Sequence, residues 1–308
     1  MQGKSKTLIK YIIPAALVCF LSSRNPVSAQ CSGTSFHNLE EALTHKECAL
    51  SLSLRLHKME LIPSSIGQLS QLEFLDLKKN ELYGLPDALH QLLRLQTLVL
   101  SENQLRKLPS NISRNVKLQK LYASNNYLVE LPESIMVLDH LEILDLAWNN
   151  FATIQHQFGG LSSLEVLDMS HNKIIHMDPS VGNLKQLQQL YLNYNKLTKL
   201  PYTICKLRGL QTLDLSFNQL QALPGDIGNM KDLKYLSVAK NKLRELPASI
   251  TKLKELEVLL LNDNQLSELP KQIKKMKNLR ILSLSGNPLQ PIDVDYLRVE
   301  MPDTQIIF

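Results

Sequence analysis

Asp168, Ser170 and His171 place a carboxylate, a hydroxyl and an imidazole within four positions, the parts of a nucleophilic relay. A relay needs its base between the two partners and an oxyanion-stabilising pocket beside it. The surrounding residues offer no such pocket, so the three are read as ordinary surface positions. Cys31, His37, His45 and Cys48 are all metal-ligand types, but their spacing matches no paired zinc pattern. Phosphate loops and calcium loops are missing as well. A different set recurs at a fixed interval. Trp148, His171, Tyr194 and Phe217 are each 23 residues apart, and so are Asp145, Asp168, Tyr191 and Asp214, with Tyr122 one interval earlier. Rigid aromatics flanked by carboxylates suit recognition rather than turnover. The expectation is a binding surface made of these nine residues, with no enzyme activity, no cofactor and no metal.

The interval belongs to the whole chain. Asn80, Asn103, Asn126, Asn149, Asn172, Asn195, Asn218, Asn241, Asn264 and Asn287 are spaced by 23 without a break. Around each stands one frame, written by Leu210, Leu213, Leu215, Asn218, Leu220, Leu223, Pro224 and Ile227. A fixed period of this size signals stacked units, each too small to bury its own apolar face. Leu213 and Leu215 alternate with polar residues and mark a short strand with one buried side. The chain must then turn sharply, leaving inward backbone groups without ladder partners. An asparagine amide holds a donor and an acceptor, so the Asn column is read as a structural ladder. Pro86, Pro109, Pro132, Pro201, Pro224, Pro247 and Pro270 suit the first turn of a short helical return, and Ile112, Ile204, Ile227, Ile250 and Ile273 pack inward three places on. The return has room only for single helical or 3₁₀ turns.

The wording L-x-x-L-x-L-x-x-N-x-L-x-x-L-P resembles the leucine-rich repeat, in the 23-residue subtype of Ras-suppressor and Scribble-type scaffolds and of exported bacterial leucine-rich repeat proteins. It covers about residues 49 to 308. The resemblance implies an α/β solenoid of about 11 repeats, an arc with a parallel sheet on its concave face and short returns on its convex face. It also implies a surface for protein partners, since in such a fold the non-leucine strand positions project from the sheet.

Composition narrows the partners. The formal charge is +5, but four of the 34 basic residues and none of the 29 acidic ones lie in residues 1–29. The rest is near neutral, which argues against nucleic acid, whose binding rests on phosphate neutralisation. Lys271, Lys274, Lys275 and Lys277 read as a solvated face of one return. Residues 1–29 have a basic start, an apolar run from Tyr11 to Leu21, and Val27-Ser28-Ala29 before Gln30, which is the pattern of a secretory signal. The apolar run is too short to span a bilayer, so no membrane-spanning segment is expected in the mature chain. A lipid anchor at Cys31 and a cytoplasmic location with 1–29 retained are the alternatives.

Export makes a Cys31–Cys48 disulfide the expected use of those thiols. Residues 30–48 are read as a cap with a short helix capped by Asn38, residues 49–301 as repeats, and 302–308 as a closing strand with Ile306 and Phe308 inward. A few repeats depart from the frame: His57 stands for Asn in the first, Asn115 for an inward Leu, and Gln155, Asp178 and, in the last repeat, Asp293 for Pro. The function expected is a non-enzymatic module that binds a protein through its concave face. Two alternatives stand beside it: a glycan-binding surface using Asp145, Gln188, Gln189 and Asn193 with the aromatics, and an intracellular scaffold.

Overall fold

The computed structural model describes residues 34–308. The expected leader over 1–29 and Cys31 of the expected disulfide lie outside the described residues. Each repeat is built as Thr212–Asp214 is: a three-residue strand with Leu213 fully buried and its two neighbours partly open. Eleven such strands, from Ser51–Ser53 to Ile281–Ser283, pair in parallel with partners 23 residues apart. One more strand is added at either end, Ser35–Phe36 and Gln305–Ile307, which makes a sheet of thirteen. The whole is an α/β solenoid, with the sheet on its concave face and the returns on its convex face.

Parallel neighbours require a crossover, and here it is a single 3₁₀ turn such as Ser110–Arg114 or Tyr202–Lys206. The prolines fix φ as expected (−67° at Pro109, −66° at Pro201), but each stands just before the turn rather than in it. Its ψ near 142° is extended, so the ring ends the preceding stretch and aims the chain inward. Ile112 and Ile204 follow it into one continuous core.

The ten asparagines do more than close their own turns. Asn172 Oδ1 accepts the Phe151 amide at 3.0 Å, and its Nδ2 donates to Leu146 O at 2.9 Å and Met169 O at 3.1 Å. Phe151 and Leu146 belong to the preceding repeat. Asn149 also donates to Leu146 O, at 3.1 Å, so both lone pairs of that carbonyl are taken by consecutive asparagines. The same sharing recurs at Leu77, Leu192 and Leu261. The column is therefore a chain of side-chain and carbonyl links running between repeats.

The two central repeats without the frame proline, those of Gln155 and Asp178, differ on the convex side. Thr153–Ile154 and His176–Met177 form a separate two-stranded parallel sheet. The Asp178 amide donates to Ile154 O at 2.9 Å. A proline there would have no N–H, so the frame residue forbids this ladder and its absence permits it. Asp178 also caps the next turn, its Oδ1 accepting the Ser180 amide at 2.8 Å. Behind this pair, Phe151 and Phe158 fill the core edge to face with ring centroids 6.4 Å apart.

At the N-terminal end, Asn38 Oδ1 accepts the Glu40 and Glu41 amides (2.8 and 3.2 Å) and starts helix α1, Leu39–Thr44. The strand Ser35–Phe36 precedes it, so the cap adds to the sheet as well as covering it. At the other end, helix α2 (Pro291–Glu300) packs Val294 and Leu297 inward. Lys274 Nζ ties the last return to it, donating to Glu300 Oε2 at 2.9 Å and Tyr296 Oη at 2.6 Å. The expectation for the final strand is half corrected. Ile306 packs on the core, but Phe308 lies one residue past the strand and is 43% exposed. Cys205 is a free, buried thiol, and burial pushes it up to about 11, which leaves it unreactive.

Asn115 is a misfit in the core. It is 1% exposed, its Nδ2 donates to Leu89 O and Leu92 O, and its Oδ1 has no partner. Both carbonyls already receive backbone amides, from Leu92 and Leu95. Asn115→Leu should therefore orphan nothing, bury an apolar side chain and remove a stranded acceptor. We expect a gain of about 1–2 kcal/mol in urea unfolding, and a loss of stability would refute this account of the site.

Candidate binding surface

Strand pairing sets five of the nine expected residues in one row. Tyr122, Asp145, Asp168, Tyr191 and Asp214 are strand-end residues and consecutive register partners, so neighbours lie about 4.8 Å apart. Each carboxylate begins by closing its own turn. Asp145 Oδ1 accepts the Ala147 amide at 3.1 Å and Asp168 Oδ1 the Ser170 amide at 2.8 Å, while Asp214 Oδ1 takes both the amide and the hydroxyl of Ser216. This local bond explains why aspartate suits the position whatever else it does.

The row is unbalanced in charge. Asp76, earlier in the same column, has Arg55 Nε at 3.5 Å. Among the described residues, no cationic group lies within salt-bridge distance of Asp145, Asp168 or Asp214. Burial raises the pKa of all three. Asp168 is pushed furthest, to about 6, by burial first and then by the charge of adjacent Asp145. The Tyr122 phenol is raised as well, by burial and then by Asp145.

Trp148, His171, Tyr194 and Phe217 occupy another place than the sheet. They stand three residues past the strand ends, in the turn, along one rim. All four have left-handed backbones, with φ of 57°, 53°, 56° and 54°. Such a conformation costs a non-glycine residue roughly 1 kcal/mol or more. The rings offset part of that by stacking face to face. Centroids are 3.8 Å apart from Trp148 to His171, 4.2 Å from His171 to Tyr194 and 4.0 Å from Tyr194 to Phe217, with interplanar angles of 9–13°. Lys240 Nζ closes the stack 5.4 Å from the Phe217 centroid and also pairs with Asp263 at 3.1 Å. The inner ring faces are thus used up on one another, and what the stack shows to a partner is edges and the outer face of Trp148. Stacking a sugar on these rings, the core of the glycan alternative, has little free face to work with.

The possible relay is not assembled. The Ser170 amide and hydroxyl both serve Asp168, while His171 lies between Trp148 and Tyr194, with burial lowering its pKa so that it is neutral near pH 7. His45 Nδ1 contacts Thr44 Oγ1 and Glu41 O at the end of α1, and among the described residues no group of three metal-ligating side chains converges. The larger clefts, of about 560 and 670 Å³, open between convex returns, at Pro270–Val294 and at Tyr202–Asp226.

Sequence reasoning missed one part of the face. Tyr235, Val258 and Ile281 are register partners in the next three strands, and Leu260 stands beside them. All four are half-buried on the sheet face, with no charge among them. Their positions are legible from the 23-residue interval, but no carboxylate or turn aromatic marks them out.

These features define the class: a repeat solenoid with a patterned, open sheet face. The chain belongs to the leucine-rich repeat family. The family's "Leucine rich repeat" description matches residues 116–174 and 173–220, and "Leucine-rich repeat region" matches 225–297. A leucine-rich repeat protein of Leptospira interrogans is 31% identical over 87% of this chain and 86% of its own, with a TM-score of 0.50. The plant peptide hormone receptor RGFR1, in complex with RGF2, is 27% identical over 83% of this chain, with a TM-score of 0.62. The ectodomain of the Arabidopsis thaliana receptor kinase GASSHO1/SCHENGEN3, in complex with CASPARIAN STRIP INTEGRITY FACTOR 2, is 26% identical over 88%, with a TM-score of 0.65. The chain spans less than half of either receptor chain, 46% and 36%. A search of curated proteins finds no match. Among the described residues, no helix is long and apolar enough to cross a membrane.

Proposed function

We propose that this protein is an exported, non-enzymatic module that binds a protein or peptide across its sheet face and the adjoining aromatic rim. The observation that carries the reading is the in-register row from Tyr122 to Asp214, whose carboxylates Asp145, Asp168 and Asp214 have no cation within salt-bridge distance, beside exposed Trp148 and Tyr194 (57% and 42%). Binding here needs no chemistry, only a surface already held in place, which spares the ordering cost of association. The likeness to receptor ectodomains and the composition of residues 1–29 support export.

The test uses random-peptide display on the immobilised full chain. Peptides that bind should lose at least tenfold in affinity when Trp148 and Tyr194 are both replaced by Ala, since large aromatics dominate interfaces. Tyr202→Ala, on the convex side and 73% exposed, should change affinity by less than about twofold. Equal loss from both variants, or no loss from the first, would place the binding elsewhere.

A further inference from the structure

The sheet face is divided by charge. In the four strands Ile143–Asp145, Val166–Asp168, Gln189–Tyr191 and Thr212–Asp214, with the residue before each, there are five carboxylates: Glu142, Asp145, Glu165, Asp168 and Asp214. The same positions hold no Lys or Arg. In the next three strands, Tyr235–Ser237, Val258–Leu260 and Ile281–Ser283, the face carries no carboxylate and is dominated by Tyr235, Val258, Leu260 and Ile281. With the residue before each strand counted here too, Lys234, Glu257 and Arg280 stand at one margin, where Arg280 pairs with Glu257 at 3.6 Å, and at the other margin Lys240 pairs with Asp263 at 3.1 Å. An apolar centre with a polar margin is how protein interfaces are built.

The geometry points to a specific occupant: an extended peptide segment with Lys or Arg side chains over the acidic strands and aliphatic or aromatic side chains over the apolar strands. This rests on the binding reading above and narrows it. Charge complementarity selects the basic half, because a partner's cations would meet carboxylates that have no cation of the chain within salt-bridge distance. Asp76 shows the contrast, since the chain does supply Arg55 there. The apolar half selects side chains that replace water over Val258, Leu260 and Ile281. From Ile143–Asp145 to Ile281–Ser283 the sheet takes six steps of about 4.8 Å, roughly 29 Å, which about nine extended residues can span.

The experiment is composition analysis of peptides selected from a random display library on the full chain, followed by titration of synthetic copies at 50 and 300 mM NaCl. Selected peptides should be enriched in Lys or Arg toward one end and in Leu, Ile, Val or aromatics toward the other. The quadruple variant Glu142→Gln, Asp145→Asn, Glu165→Gln, Asp168→Asn should weaken binding at least tenfold at 50 mM and flatten the salt dependence. The pair Glu142→Gln, Glu165→Gln touches no bond of the fold and should give the same trend more weakly. Val258→Thr with Leu260→Ser should weaken binding while leaving the salt dependence unchanged. Acidic or unbiased peptides that still need Trp148 and Tyr194 would overturn this inference and leave the binding module standing. Failure to select any peptide sensitive to a sheet-face or rim substitution would overturn both.

Discussion

Asn172→Ala is expected to lower stability by roughly 3 kcal/mol, while keeping the fold. The residue is 8% exposed and lies mid-column. Removing its amide strands the Phe151 N–H in the preceding repeat and takes one of two donors from both Leu146 O and Met169 O. A stranded buried donor costs about 1–3 kcal/mol, and two weakened carbonyls add to it. Asn287→Ala is the internal control. That residue is only partly buried and ends the column, and Leu284 O has no second asparagine beyond it. Its loss should cost about half as much. Urea unfolding with an unchanged m-value would measure both. Equal effects at the two positions would mean that neither the deeper burial of the Asn172 bonds nor the asparagine beyond it adds to the cost.

Asp168→Asn is expected to stabilise the protein at pH 8 by about 1–3 kcal/mol and to make little difference at pH 4. In the unfolded chain this carboxyl ionises near its ordinary value of 3.8, whereas in the fold it ionises at about 6. Between those values the folded state holds a proton that the unfolded state has lost. Stability therefore falls as pH rises through that window, and above it the full cost is present, about 3 kcal/mol for two units. Asparagine keeps an oxygen for the Ser170 amide and carries no charge to bury. Thermal unfolding at both pH values would test this. An equal gain at pH 4 and pH 8 would exclude the buried charge as the cause. A residue that weakens its own fold at neutral pH is what a surface kept for a cationic partner would retain.

Much of this molecule is written in its spacing. The 23-residue interval gives the strands, because Leu213 and Leu215 cannot both be buried unless the chain alternates there. It also gives the single-turn returns, because the residues between Pro224 and Leu233 allow nothing longer. The asparagine's donor and acceptor were legible too, but not where they go, since one repeat's wording cannot tell that its amide serves the repeat before it. The aromatic interval was plain. That these residues adopt left-handed backbones and stack on one another was not, because the spacing places them in a column without fixing ring orientation. Gln155 and Asp178 stand out as missing prolines, yet only the fold shows the Asp178 N–H joining a second ladder. Phe308 was read as inward from alternation with Ile306, and alternation fails where the strand stops.

That second ladder has a mechanical side. A stack of units fastened along one edge alone can bend, because the opposite edge is free to open or close like a fan. In this chain the repeats of Asn149 and Asn172 are fastened along both edges, by the main sheet and by Thr153–Ile154 with His176–Met177. The added ladder should make this pair stiffer against opening than neighbours that lack it. Trp148, His171, Asp145 and Asp168 all belong to that pair, so flexing elsewhere in the stack would change the curvature presented to a long partner without moving these four residues apart.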